Sequence, residues 1–289
     1  MIISVSRRTD IPACYSEWFF NRIKDGYCMV CNPYNPKQIK RVDLSPEAVD
    51  GFVFWTKDPS PMMLRLNELE NYNYYFTYTL TPYEDDIEPG FSDKGTLVKI
   101  FKDLSLAIGP EKVIWRYDPI ILNEKYTSAY HKNSFVEMAE QLKGYTEKCV
   151  ISFVDDYRSV TKALESIGSE PISEQDISEI AEHFSKAALK NNMQLATCCE
   201  PNDLSQYGII HNKCIDAGLL SRISGIEITA GKDRNQRQAC GCAASVDIGA
   251  YNTCPKGCLY CYANHNLKRL EKNQKNHNPE SLSLNIIAI

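Results

Sequence analysis

The chain has 289 residues, 43% of them hydrophobic, which is enough to bury a full core. Lys and Arg number 32 against 37 Asp and Glu, and the net charge of −5 gives no global attraction to nucleic acid, so no nucleic-acid partner is expected. No run approaches a membrane span and Met1-Ile-Ile-Ser-Val-Ser-Arg-Arg lacks the apolar stretch of a secretory signal, so a cytoplasmic protein is expected, its 12 cysteines serving as ligands or buried thiols rather than disulfides.

In chain order, short apolar, β-branched or aromatic runs at 2–6, 51–55, 74–80, 112–117, 149–154, 193–197, 225–229 and 245–250 read as strands. Helices are expected between them at about 16–25, 60–70, 94–107, 131–146, 174–191, 205–218 and 264–274. The third- and fourth-residue spacing of Ile177, Ile180, Phe184 and Ala188 is typical of these stretches. Cys28-Met-Val-Cys31, ahead of Asn32-Pro-Tyr-Asn-Pro36, alternates as a hairpin strand with core thiols would, and Cys14 and Cys149 also read as structural. The aromatic run Tyr72–Tyr78 is explained by alternating strand faces rather than by base stacking. Eight strands alternating with helices predict one domain over 1–289, a (β/α) barrel or partial barrel of parallel strands, with an open doubly wound sheet as the alternative. The apolar tail after Leu284 is expected to dock on it.

In a barrel, functional groups collect where the parallel strands end. The polar residues there are Arg7, Arg8, Thr9 and Asp10; Thr56, Lys57 and Asp58; Thr79 and Thr81; Arg116 and Asp118; Asp155 and Asp156; Cys199 and Glu200; and Glu227 and Thr229. Adjacent Arg7 and Arg8 suit a carboxylate or phosphate, because guanidinium matches the geometry of both. Arg116 interrupts an otherwise buried strand and needs a partner there, for which Asp118 is placed.

The sharpest signal is Cys254-Pro-Lys-Gly-Cys258-Leu-Tyr-Cys261, a C-x3-C-x2-C run in a Gly/Pro-containing loop with Tyr260 before its third thiol. Three thiolates hold a 4Fe–4S cluster by three of its irons and leave one open to an outside ligand. Zinc is the second choice, because structural zinc sites close with a fourth ligand and no second C-x2-C pair is nearby. Upstream, Cys199, Cys214, Cys240 and Cys242 form a candidate second cluster or zinc site, with ordinary buried thiols as the competing reading. Cys198 lies in the same stretch, and Cys240-Gly-Cys242 has no apolar pattern to serve.

The C-x3-C-x-aromatic-C pattern resembles that of the radical S-adenosylmethionine (SAM) superfamily. The flanking Ser245–Cys254 and Tyr260-Cys-Tyr-Ala263, with Val53–Pro59 and Ile114–Pro119, are similar to an uncharacterised bacterial family with such a cluster at its C-terminus. The resemblance implies a radical-SAM-like barrel, circularly permuted so that the cluster segment, about 240–265, follows the last strand and lies beside Arg7 and Arg8. It further implies that Cys254, Cys258 and Cys261 hold the cluster and that Tyr260 borders the adenine of SAM. Arg7, Arg8 or Arg116 would meet the SAM carboxylate or a substrate anion, with Lys57, Asp118 and Glu200 among the groups positioning substrate.

Two functions follow. The first is an enzyme that reductively cleaves SAM to a 5′-deoxyadenosyl radical, with its electron supplied by a reductase or a flavodoxin- or ferredoxin-type donor. The second is a non-SAM iron–sulfur electron carrier or redox sensor whose open iron is filled by Asp247, Cys242 or a small molecule.

Overall fold

The computed structural model describes residues 1–91, 93–155 and 160–284, so Asp156 and the tail 285–289 lie outside the described residues. Strand β1 (Ile2–Val5) leads into helices α1 (Ile11–Cys14) and α2 (Ser16–Asp25), and strands β2 (Tyr27–Asn32) and β3 (Asn35–Asp43) form an antiparallel hairpin, as the Cys28–Cys31 alternation predicts. Next come β4 (Gly51–Thr56), α3 (Ser60–Met63), β5 (Tyr74–Thr79), α4 (Lys94–Ile108), β6 (Val113–Ile120) and α5 (Ser128–Leu142). These are followed by β7 (Lys148–Phe153), α6 (Thr161–Ser166), α7 (Glu174–Lys190) and β8 (Gln194–Thr197). The last elements are β9 (Ile210–His211), α8 (Ala217–Ser224), β10 (Val246–Asp247) and α9 (Leu267–Lys275).

Eight strands make one parallel sheet in the order β10-β1-β4-β5-β6-β7-β8-β9. The order steps in one direction without the reversal that defines a doubly wound sheet. The sheet is also open, which corrects the expectation of a closed barrel. Its edge strands β9 and β10 are two residues long each and pair only inward, which leaves no ladder to join them. The expected neighbourhood of last and first strand survives, because β10 pairs with β1 through Ile3 with Val246 and Ser4 with Asp247.

Successive side chains on a strand point to opposite faces, and the two faces carry different cores. One face presents Val5, Phe54, Phe76, Trp115, Tyr117 and Ile151 to the helices, which bring Phe19, Phe101, Phe135 and Phe184. Phe135 and Phe184 stack at 3.8 Å. The other face presents Ile2, Val53, Tyr75, Ile114 and Val150, and against these pack Ile215, Leu220 and the thiols of Cys214, Cys240 and Cys242. The Tyr72–Tyr78 run divides accordingly: Phe76 and Tyr78 face the helices, while the Tyr75 hydroxyl donates to the Cys214 carbonyl at 2.8 Å.

Two expected elements are corrected. No strand forms at 225–229; Gly225, in the left-handed region at φ +71°, ends α8, and Glu227 after it is exposed. The long helix expected at 205–218 is replaced by a short turn, β9 and the start of α8. Gly208 at φ +73° breaks it, and Asp216 starts the true helix by accepting from the Gly218 and Leu219 amides at 2.9 and 3.2 Å. Of the C-terminal segment, Leu284 is buried in the helix-side core. Among the described residues no helix is long and apolar enough to cross a membrane.

Candidate functional site

The strand ends position the site. After β10 the chain turns at Asp247, whose carboxylate accepts from the Ser4 and Ser6 hydroxyls at 2.9 and 2.7 Å and from the Arg7 amide at 2.8 Å. This clamp joins the ends of β1 and β10 and holds Asp247 at the sheet edge. The loop from Thr253 to Ala263 then lies across the end of the sheet. It is fixed by the Tyr15 hydroxyl to the Thr253 carbonyl, by Asn264 Nδ2 to the Cys254 carbonyl at 2.7 Å, and by the Tyr262 hydroxyl to the Arg7 carbonyl at 2.9 Å.

Cys254, Cys258 and Cys261 are therefore gathered at the C-terminal end of the parallel strands, unpaired and partly exposed. The thiols lie close enough for each to feel the others' charge. Burial pushes the Cys258 thiol up and that of Cys261 to about 11, with the Lys57 ammonium opposing both. Cys254 is lowered instead, chiefly by a hydrogen bond from Cys14. Sequence reasoning missed that contact, treating Cys14 as structural: α1 is a four-residue turn whose last position falls beside the loop.

Beside Cys258 lies a second missed residue, Glu88. Its carboxylate binds Lys57 Nζ at 2.7 Å and Lys94 Nζ at 2.9 Å and accepts from the Thr81 hydroxyl at 2.6 Å and the Tyr260 hydroxyl at 2.5 Å. Burial alone would raise its pKa, but the two ammonium groups outweigh burial and leave it at about 2. Tyr260 is thereby fixed against Tyr83 at a ring separation of 6.2 Å, with Lys57 Nζ 5.6 Å from its face. Lys57 is further held through its backbone amide, which donates to Asp10 at 2.8 Å.

Arg8 lies over the Tyr251 ring at 5.4 Å and 4.0 Å from Asp247. Arg7 leans the other way, 3.6 Å from Asp233 and within the field of Cys242. Arg116 finds its partners as the buried strand requires: Asp118, the Cys214 sulfur at 2.9 Å, the Cys198 sulfur at 4.0 Å and the Trp55 ring at 4.9 Å. Asp118 is held in turn by the Ser152 hydroxyl. Glu200 accepts from the Phe153 amide at 2.9 Å, and burial raises its carboxyl to about 7, an ordinary place for a proton-transfer group. Glu227 lies away on an exposed loop and takes no part.

The upstream thiols converge as well. Cys198 and Cys214 sulfurs are 3.3 Å apart, and Cys214, Cys240 and Cys242 are buried in one cluster against which Cys198 and Cys199 pack. Cys198 was left out of the set read from the sequence and belongs beside it. Among the described residues, no three His, Cys, Asp or Glu side chains stand as a ready-made cage for a metal ion.

A model of the family described as Domain of unknown function (DUF1848) matches residues 2–263. No curated protein and no solved structure matches the chain.

Proposed function

The chain belongs to this family of unknown function, and from the cysteine loop at its strand ends we propose an iron–sulfur enzyme of radical SAM type, holding a 4Fe–4S cluster through Cys254, Cys258 and Cys261. The observation that carries the reading is the gathering of these three unpaired thiols, on one loop, at the end of the parallel sheet where β1 meets β10. On this reading the open sheet is a partial, permuted relative of the (β/α) barrel. The donor set fits the group: three thiols and no fourth within the loop, with the Lys57 ammonium nearby to offset their negative charge. Bound there, the cluster supplies one-electron chemistry to whatever ligand takes its open iron.

The chain's own residues then divide the remaining work. Lys57, held by Glu88, offers a cation beside the loop for a carboxylate ligand. Tyr260, whose hydroxyl is tied to Glu88, offers a ring that cannot swing away. Glu200, poised near neutrality, holds or accepts a proton on the β7–β8 side.

Anaerobically reconstituted protein, reduced with dithionite in the presence of SAM, is expected to form 5′-deoxyadenosine, and the Cys254→Ala/Cys258→Ala/Cys261→Ala variant none. A wild-type protein that carries iron and sulfide at these cysteines yet forms no 5′-deoxyadenosine would overturn the enzyme reading.

One contact favours a second reading. Cys14 sits against Cys254, so a non-SAM electron carrier would take its fourth thiolate from Cys14 rather than from Asp247, which the sheet edge occupies. The EPR signal of the reduced cluster separates the two. SAM should shift that of the wild type if the open iron is free, whereas a Cys14-capped iron should respond only in Cys14→Ser.

A further inference from the structure

We infer that Cys199, Cys214, Cys240 and Cys242 form a second iron–sulfur cluster site, separate from the C-terminal cysteine loop, with Arg116 and Arg7 balancing its charge. The four residues come from three segments: the end of β8, the stretch between β9 and α8, and the loop before β10. That loop is pinned to the middle segment by the Ala243 amide to the Ile215 carbonyl at 2.9 Å and by the Ile215 amide to the Cys242 sulfur at 3.4 Å. Cys214, Cys240 and Cys242 are buried in one cluster on this face of the sheet, and Cys198 and Cys199 pack against it.

The backbone bears the mark of this arrangement. Adjacent residues leaving a strand point to opposite faces, yet Cys198 and Cys199 both reach the same thiol-lined core. Cys199 achieves this by adopting φ +59°, a left-handed conformation that costs a residue with a Cβ roughly 1 kcal/mol. Packing alone gives no reason to turn a second small thiol inward at that cost.

The surroundings suit sulfur carrying charge. Cys214 receives Arg116 Nη1 at 2.9 Å and Asn212 Nδ2 at 3.1 Å, and Cys242 receives the Ile215 amide; N–H donors to the sulfurs are among the features that set a cluster's potential. Four thiolates on a 4Fe–4S or 2Fe–2S core leave a net negative centre; the Arg116 guanidinium already donates to Cys214, and Arg7 lies close enough to Cys242 to feel its charge. Cys198 lies 3.3 Å from Cys214, and Cys214, which carries the two N–H donors, is taken as the ligand with Cys198 its neighbour. An all-thiolate set serves zinc as well, and the metal content measured below separates the two.

The test is a count of iron and sulfide after anaerobic reconstitution of the full chain. In the Cys254→Ala/Cys258→Ala/Cys261→Ala background, the second site should retain about two to four irons with matching sulfide and visible absorbance that dithionite bleaches. Adding Cys240→Ala and Cys242→Ala should reduce this to background. A triple variant free of iron overturns the second site and leaves the first standing. A triple variant as iron-rich as wild type supports the second site and defeats the C-terminal one. Stoichiometric zinc in the triple variant, lost with Cys240 and Cys242, overturns the cluster in favour of a single ion. If the five-fold variant fails to fold, as judged by circular dichroism, the iron and sulfide content of the triple variant decides by itself.

Discussion

Glu88→Gln is expected to lower the stability of the protein by about 3 kcal/mol at pH 7. Glu88 is a buried carboxylate shared by two ammonium groups and two hydroxyls, and the amide removes the one negative charge that both Lys57 and Lys94 use. Lys57 is largely buried and loses the most; Lys94 is 30% exposed and recovers part of its hydration. The pH dependence follows from the same pair of lysines. The Glu88 pKa is about 2 in the folded protein against an ordinary 4.5, so its contribution is complete above about pH 4.5 and disappears as pH falls towards 2. A depression of that size corresponds to about 3 kcal/mol. Urea unfolding at pH 7 and at pH 3 would measure both effects. Wild type should lose much of its advantage over Glu88→Gln at the lower pH, and equal midpoints at pH 7 would remove Glu88 from its place as the site's anchor. Because Tyr260 and Lys57 are both tied to this carboxylate, the variant should also loosen the loop that carries Cys258.

Much of the fold was legible because buried parallel strands are short, apolar and bounded. Six of the eight expected strand positions became full sheet strands and a seventh, at 245–250, shrank to Val246–Asp247. The failure at 225–229 is physical: Ile226-Glu-Ile-Thr alternates well, but it follows the left-handed Gly225 that ends α8, only Ile228 packs against the core, and Ile226 is left exposed. The strand that takes its place, Ile210–His211, is both exposed and short, so no periodicity marks it. Closure was not legible either, since it depends on edge pairing between chain-distant segments. In the candidate site, the cysteine spacing pointed directly to Cys254, Cys258 and Cys261 because a loop of three thiols serves no core. Glu88 carried no comparable signal, being one acid in the run Glu84-Asp-Asp-Ile-Glu-Pro89. Its importance comes from three partners, Lys57, Lys94 and Tyr260, that the fold brings from separate segments. Cys14 was invisible for the same reason.

Replacing Arg116 should have an effect as large as the loss of Glu88, and by a different route. The guanidinium is buried among Asp118, Cys214 and Trp55 on the sheet face that carries the upstream thiols, and its pKa is raised, burial being outweighed by the charges of Cys214 and Cys198. Arg116→Met keeps the volume but leaves Asp118 without its counter-ion, and breaking a buried pair from one side costs about 3–5 kcal/mol. Arg116→Lys should restore only part of this, because a single ammonium cannot reach the Asp118 carboxylate and the Cys214 sulfur together as the planar fork does. The double variant Arg116→Met/Asp118→Asn separates stability from electronics. Removing both charges should recover most of the folding free energy, while the N–H donor to Cys214 remains lost. If Cys214 is a cluster ligand, the reduction potential of the second centre should then fall in the double variant as in the single one, since a cation and a hydrogen bond to sulfur both favour the more negative reduced state. Denaturation midpoints and a potentiometric EPR titration in the Cys254→Ala/Cys258→Ala/Cys261→Ala background would read the two quantities separately. An unchanged potential alongside a large change in stability would restrict Arg116 to holding the sheet together.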